Sequence, residues 1–255
     1  MKIVKTRLIK YNDGVVRFDS YTPPVMTGVG GSEKKPTPRD EQTQEQKDEN
    51  ARRSLRRSRK KIRDLILCNF TLDNYRFLTL TYRDNIKDID VAMNDFGLFM
   101  KRLKNHFGND LIYCGTLERQ ERGAWHFHIL VNKYLPHSKL TKLWTDHSRR
   151  MGSVNIQKKN MNNLVHLANY VSKYLTKHLW DFDELLNRKK VLRSKGLNEP
   201  NPIDNPTLQQ IKKYINIVDK YQDLRDLDHY ILFKTDKVVE DVGVFKTVFF
   251  QIPQS

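Results

Sequence analysis

From Tyr75 onward the spacing of apolar positions changes repeatedly, and each change predicts an element. Residues 76–83, R-F-L-T-L-T-Y-R, form a β-branched and aromatic run and predict a strand. Residues 90–107 switch to helical spacing, with Val91, Asp95 and Leu98 beside Phe96, Phe99 and Leu103. Leu111–Glu118 predicts a second strand, Arg119–Gly123 a polar turn, and Trp125–Val131 a third strand. Ser138–Arg149 predicts a helix, Val154–Gln157 a short strand, and Asn162–His178 a helix. Residues 181–204 are mixed, with a strand expected near Lys190–Arg193. A helix over 206–222 and strands over Tyr230–Lys234 and Val244–Gln251 complete the pattern. Strands and helices that alternate without a Gly-rich phosphate loop predict an α+β fold with a mainly antiparallel sheet. The sequence holds no G-x-x-x-x-G-K-[ST], so no nucleotide-driven helicase is expected in it.

The stretch before Tyr75 has a different character. Residues 1–21 alternate in two short runs around Asn12-Asp13-Gly14, which predicts a hairpin or an extended arm. Residues 22–50 hold Pro23, Pro24, Gly28, Gly30, Gly31, Pro36 and Pro38, then E-Q-T-Q-E-Q-K-D-E-N, and predict a flexible linker. Residues 51–63, A-R-R-S-L-R-R-S-R-K-K-I-R, carry eight basic residues and no acid. Leu55, Ile62 and Ile66 fall at helical spacing, so a basic helix is expected over 51–68. Arg52, Arg53, Arg56 and Arg57 then either contact nucleic-acid phosphates or form a solvated face. The absence of compensating acids within the cluster favours contact. The expected order is arm, linker, basic helix, a core over 69–205, and a C-terminal helix and strands over 206–255 without an assigned role.

Composition sharpens this picture. The chain has 255 residues, with 46 lysines and arginines against 30 acids, for a formal charge of +16. That excess favours a polyanionic partner, nucleic acid before an anionic membrane surface. The two cysteines, Cys68 and Cys114, exclude a disulfide scaffold or a Cys-rich zinc module. No apolar run reaches the roughly 18 residues of a membrane span, and the first residues lack a signal-peptide core. A reduced, cytoplasmic setting is the expectation.

Three segments carry candidate chemistry. On a strand, His126 and His128 point to one face with Leu130, while Trp125, Phe127, Ile129 and Val131 point to the other. Two imidazoles side by side suit metal capture, although a pair of structural histidines reads the same way. Glu118 ends the preceding strand, and the short turn R-Q-E-R-G would bring it beside the histidines in an antiparallel pair. Two imidazoles and a carboxylate suit a borderline or hard divalent ion. Glu121 competes for that role from within the turn. In the third segment, Y-V-S-K-Y-L-T-K, the stripe Leu164, Leu167, Ala168, Val171 and Leu175 is the buried face of a helix. Tyr170 and Tyr174, four apart, share its flank, and Lys173 and Lys177 lie farther round. Ammonium groups there would favour ionised phenols and attract phosphate. The plainer reading is two core-edge tyrosines and two solvated lysines.

Together these segments resemble the HUH endonucleases, the rolling-circle replication initiators and their relatives. Residues 77–82, F-L-T-L-T-Y, look like the first motif. Residues 125–131, W-H-F-H-I-L-V, look like the second, and residues 170–177 like the third, which holds the nucleophilic tyrosine. The resemblance covers about residues 70–195, and the doubled Y-x-x-K is closest to the two-tyrosine initiators of small phages and plasmids. It implies a ferredoxin-like α+β fold with a central antiparallel sheet flanked by helices. It also implies a metal-dependent enzyme that nicks and rejoins single-stranded origin DNA through a 5′-phosphotyrosine, leaving a 3′-OH primer.

In that reading Mg²⁺ or Mn²⁺ is held by His126, His128 and Glu118. Tyr170 attacks, Tyr174 makes a second cut, and Lys173 steadies charge around the phosphotyrosine. Arg119, Arg122, Lys177 and the 52–63 cluster hold DNA backbone. Trp125 is expected in the core. A host helicase and DNA polymerase would be borrowed. The alternatives are a transposase or mobilisation relaxase with the same site, or a non-catalytic DNA-binding regulator.

Overall fold

The computed structural model describes residues 5–22, 38, 41–146, 148–174, 191–207, 209–211, 231–239 and 243–251. The chain is α+β with antiparallel sheets, and it divides into two compact units. One unit is continuous, Asp48–Asn198; the other combines Met1–Lys47 with Glu199–Ser255.

In the unit built from both chain ends, β1 (Lys5–Lys10) and β2 (Val15–Thr22) pair antiparallel around a 3₁₀ turn at Asn12–Gly14. Asp13 and Gly14 both take positive φ in that turn, which Asp tolerates and Gly adopts without cost. The pair is extended by β8 (Ile203–Asp204), β9 (Ile231–Val239) and β10 (Gly243–Gln251) into a sheet of order β8-β1-β2-β10-β9. The N-terminal strands are thus interior strands of a sheet. Arg17 is buried, bonds Asp19 at 2.6 Å and lies over the Phe249 ring; Asp19 also accepts from Thr247 Oγ1 at 2.7 Å.

The long helix α1 (Gln44–Asn69) begins inside the stretch expected as linker. Thr43 and Gln46 explain the start: Thr43 Oγ1 accepts from the Gln46 amide at 3.3 Å, and Gln46 Oε1 accepts from the Thr43 amide at 2.9 Å. This reciprocal cap satisfies two otherwise orphaned donors. Leu55, Ile62, Leu65 and Ile66 are buried, while Arg52, Arg53, Arg56, Arg57, Arg59 and Lys60 are exposed. The extra turns change the charge reading of the cluster. Glu49 accepts from Arg53 Nε at 3.0 Å and from Arg56 Nη2 at 2.8 Å, so the basic run is partly compensated from upstream.

The core sheet has order β6-β3-β5-β4-β7, all antiparallel. Its strands are β3 (Arg76–Tyr82), β4 (Tyr113–Arg119), β5 (Trp125–Val131), β6 (Met151–Gln157) and β7 (Leu192–Arg193). The architecture is consistent with a ferredoxin-like fold. One face packs on α2 (Ile89–Phe107) and α3 (His137–Thr145). There Leu78, Leu80, Phe127 and Ile129 meet Phe96, Phe99, Leu103 and Trp144, and Trp125 is core. Asp95 sits in the apolar stripe of α2 yet is fully buried. It is matched by Arg150, whose Nη2 and Nε reach its carboxylate at 2.6 and 3.1 Å, and by the Tyr82 hydroxyl at 3.0 Å. A buried carboxylate is tolerable only with such partners.

The opposite face carries α4 (Leu164–Lys173), which packs on β4. Asn163 caps α4 by accepting from the His166 amide at 2.9 Å. Its buried residues include Leu164, Leu167, Ala168 and Val171. Leu175, Lys177 and the helix expected to continue to His178 lie outside the described residues, as does most of the helix expected over 206–222.

Candidate active site

The site is built on the helix α4 face of the core sheet. Its first component is the β4–β5 hairpin. Glu118 pairs with His126 and Thr116 with His128 across the ladder. The turn that sets this register depends on Gly123, at φ +94°, where the chain takes a conformation that side chains disfavour. The Gln120 N–H donates to Ala124 O and the Gly123 N–H to Gln120 O, each at 2.8 Å, and these hydrogen bonds close it. Farther along, Gly115 permits β4 to approach β5: a Cβ there would overlap the His128 carbonyl and sit 2.7 Å from the Ile129 Cα.

This register brings the Glu118 carboxylate to His128. Oε2 lies 2.7 Å from Nε2, with both side chains largely buried. The Thr79 hydroxyl on β3 lies 3.4 Å from the other ring nitrogen, so His128 is held from both sides. His126 faces the same side, its ring centroid 6.2 Å from that of His128. Its Nε2 is buried without a hydrogen-bond partner. Burial, helped by the neighbouring His128, pushes the His126 imidazole down to about 4, so its ring is neutral at pH 7. Glu121 is exposed in the turn.

Among the described residues no three His, Cys, Asp or Glu side chains are grouped as a ready ligand set. The Glu118 carboxylate closes on His128, and His126 stands beside the pair. The donors nonetheless fit a divalent ion. A neutral imidazole with an orphaned buried nitrogen adjoins a second imidazole and a carboxylate, and Thr79 backs the second ring as metal-bound histidines require.

The second component is the tyrosine pair. The ring of Tyr174, the residue that ends α4, stacks on His128, with centroids 4.1 Å apart and an interplanar angle of 20°. Tyr170, one turn earlier, bonds Tyr174 hydroxyl to hydroxyl at 2.6 Å. Phe77, from the segment F-L-T-L-T-Y, is the hub beneath them, with centroid distances of 5.9 Å to His128, 5.5 Å to Tyr170 and 5.9 Å to Tyr174. Burial raises the Tyr174 phenol above its usual range, and the bond to Tyr170 adds to this. That direction is opposite to the expectation that nearby lysines favour its ionised form. The reason is burial of the phenol against Tyr170; Lys173 Nζ lies over the faces of the rings, 4.4 Å from the Tyr170 centroid and 5.5 Å from that of Tyr174.

The structure adds a cation that sequence spacing did not point to. Lys159, in the loop before α4, places its ammonium 5.5 Å from the Tyr170 ring centroid. No short-range signal links Lys159 to Tyr170, because the loop folds back only in the tertiary structure.

The remaining candidates fall outside this cluster. Arg122, expected on DNA backbone, directs three guanidinium nitrogens at the protein: Nε to Gln120 Oε1 at 3.0 Å, Nη1 to Arg83 O at 3.1 Å and Nη2 to Tyr82 O at 2.5 Å. It ties the hairpin turn to the end of β3. Arg119 bonds Gly123 O at 3.0 Å and lies over the Trp125 ring at 5.6 Å. Arg52, Arg53, Arg56 and Arg57 are on the exposed flank of α1. Lys177 is outside the described residues.

No helix among the described residues is long and apolar enough to cross a membrane. No curated protein and no solved structure matches the chain. Residues 75–179, however, match the family model of the replication-associated protein ORF2. The matched segment contains Phe77, Glu118, the histidine pair and both tyrosines. The part of the chain that holds the candidate site is therefore the part similar to a replication-associated protein.

Proposed function

We propose that this chain is a two-tyrosine HUH endonuclease that initiates rolling-circle replication by nicking and rejoining single-stranded origin DNA. The observation that carries the reading is the contact of the tyrosine pair with the histidine–carboxylate cluster: Tyr174 stacks on His128 at 4.1 Å while bonding Tyr170 at 2.6 Å.

In this mechanism the Tyr170 Oη attacks a backbone phosphorus as a covalent nucleophile. A P–Oη bond forms and the P–O3′ bond breaks. The phenol proton is released and the departing 3′ oxygen gains one, so the products are a 5′-phosphotyrosine and a free 3′-OH. That hydroxyl is the primer for a borrowed polymerase, with a host helicase opening the duplex. The reverse attack by a 3′-OH reseals the strand. Lys173 and Lys159, both beside the Tyr170 ring, offset the negative charge of the esterified phosphate. Tyr174 takes the strand in a second cut. His126, His128 and Glu118 would hold Mg²⁺ or Mn²⁺, which supplies Lewis-acid polarisation of a phosphate oxygen. Thr79 fixes the His128 ring, and Arg122 fixes the hairpin that carries Glu118 and His126.

The test is incubation of the chain with single-stranded origin candidates and Mn²⁺. The reading expects a protein–DNA adduct that survives detergent. A cut strand with a free 5′ phosphate and no adduct would replace the tyrosine by water as the attacking group.

A further inference from the structure

A cavity of about 330 Å³ is lined by two segments of the core unit. The first is the approach to β3, with Asp73 and Tyr75; the second is the loop between β6 and α4, with Lys158, Lys159, Asn160 and Met161. The floor is rigid. Tyr75 is only 1% exposed, and its hydroxyl donates to the Lys159 carbonyl, which fastens the two segments together. The Asp73 turn is likewise fixed, because the Thr71 amide donates to Asn74 Oδ1 at 3.0 Å. Lys159 belongs both to this cavity and to the tyrosine site, since its ammonium lies 5.5 Å from the Tyr170 ring centroid.

The chemistry of the lining has two characters. The two ammonium groups attract a phosphate, and one of them adjoins Tyr170. Asp73 repels phosphate but accepts hydrogen bonds from an amino group, and the Asn160 carboxamide both donates and accepts. The half-buried Leu72 and Met161 side chains offer apolar surface. A volume near the lower end of ligand pockets, about 300 Å³, suits a single nucleotide rather than a length of strand. We infer that this cavity is a subsite for one nucleotide of the substrate strand next to the scissile phosphate. Its phosphate lies on Lys158 and Lys159, and its base presents an amino edge to Asp73 and Asn160. The subsite accordingly prefers cytosine or adenine to thymine, whose edge offers no exocyclic amine.

This inference rests on Tyr170 being the nucleophile, and its test separates the two claims. Binding is measured with the full chain carrying Tyr170→Phe, in the presence of a chelator, so that no strand is cut. The probe is a pool of short single-stranded DNA of randomised sequence, and the bound fraction is sequenced. The subsite predicts that Asp73→Asn shifts base preference at one position by about tenfold and leaves the others unchanged. It predicts that Lys158→Ala with Lys159→Ala weakens all sequences and reduces the salt slope by about 0.7, the share of one phosphate on a single strand. A parent pool with no preference at any position would overturn the inference. So would an Asp73→Asn pool identical to the parent, an even loss across all positions, or a lysine variant with an unchanged slope. Adduct formation by the unmodified chain on the selected DNA reports on the nucleophile alone. A chain that forms no adduct yet shows the single-position shift keeps the subsite and loses the nicking reading.

Discussion

The hydroxyls of Tyr170 and Tyr174 share one hydrogen bond of 2.6 Å, with the Tyr174 ring stacked on His128. Two phenols in such contact cannot both be ionised without like-charge repulsion, so the proposed mechanism has them act in turn. The expected division of labour is a first cut by Tyr170 and a second by Tyr174. Tyr174→Phe removes the hydroxyl and keeps the ring on His128. It should form the first adduct at near-normal yield and fail to pass the strand on to a second cleavage. Strand-transfer assays with two labelled oligonucleotides check this; transfer at the wild-type rate would remove Tyr174 from the mechanism.

Glu118 bonds His128 at 2.7 Å and pairs with His126 across the hairpin. Glu118→Gln keeps the shape and removes the charge. It should weaken Mn²⁺ binding by about 10–100-fold, as loss of a ligand or its support does in metal sites, while leaving the circular dichroism unchanged. Titration calorimetry with Mn²⁺ measures the difference. An unaltered affinity would take Glu118 out of the ligand set.

The α1 arginines should supply phosphate contacts that raise affinity without choosing sequence. Replacing Arg52, Arg53, Arg56 and Arg57 with alanine should flatten the salt dependence of single-strand binding, by about 0.7 in slope for each phosphate no longer neutralised. Because Glu49 holds Arg53 and Arg56 at 3.0 and 2.8 Å, Glu49→Gln should tighten binding and steepen the slope. Slopes unchanged in both variants would mean that α1 is a solvated surface.

Arg150→Ala should strip the fully buried Asp95 of its guanidinium partner while the Tyr82 hydroxyl stays in place. Breaking a buried ion pair in this way costs about 3 kcal/mol. Gly115→Ala should cost about 1–3 kcal/mol by forcing β4 away from the His128 carbonyl. Urea denaturation checks both. For Gly115→Ala, loss of adduct beyond what the stability change explains would show that hairpin register feeds the site.

Much of the site was legible because strand chemistry is local. The alternation W-H-F-H-I-L-V assigns Trp125, Phe127, Ile129 and Val131 to the core and the histidines to the other face, and the structure places them so. A turn of a few residues then leaves Glu118 little choice but to pair with His126. The start of α1 was also written locally, in Thr43 and Gln46, but the prolines and polar run around it read as linker. What was not legible is long-range. Arg122 finds carbonyls of Tyr82 and Arg83, and Asp95 finds Arg150, only once the sheet has formed. The pairing of β2 with β10 joins residues from opposite ends of the chain, which no local periodicity announces. The rise of the Tyr174 phenol depends on how deeply the ring is buried and on its bond to Tyr170, and helical spacing alone gives only its angular position.

The central claim is a covalent bond between DNA and Tyr170, and Tyr170→Phe tests it most directly. The substitution removes one hydroxyl and keeps the ring edge-on to Phe77 at 5.5 Å, so the fold should be retained. With single-stranded origin DNA and Mn²⁺, the wild-type chain should yield a detergent-stable adduct whose peptide map carries the nucleotide on Tyr170. The Tyr170→Phe chain should lose that adduct by at least about a thousandfold, the scale of losing a nucleophile. An adduct retained by Tyr170→Phe and lost only in Tyr174→Phe would reverse the two roles. Cleavage by the double variant at the wild-type rate would contradict the covalent mechanism itself.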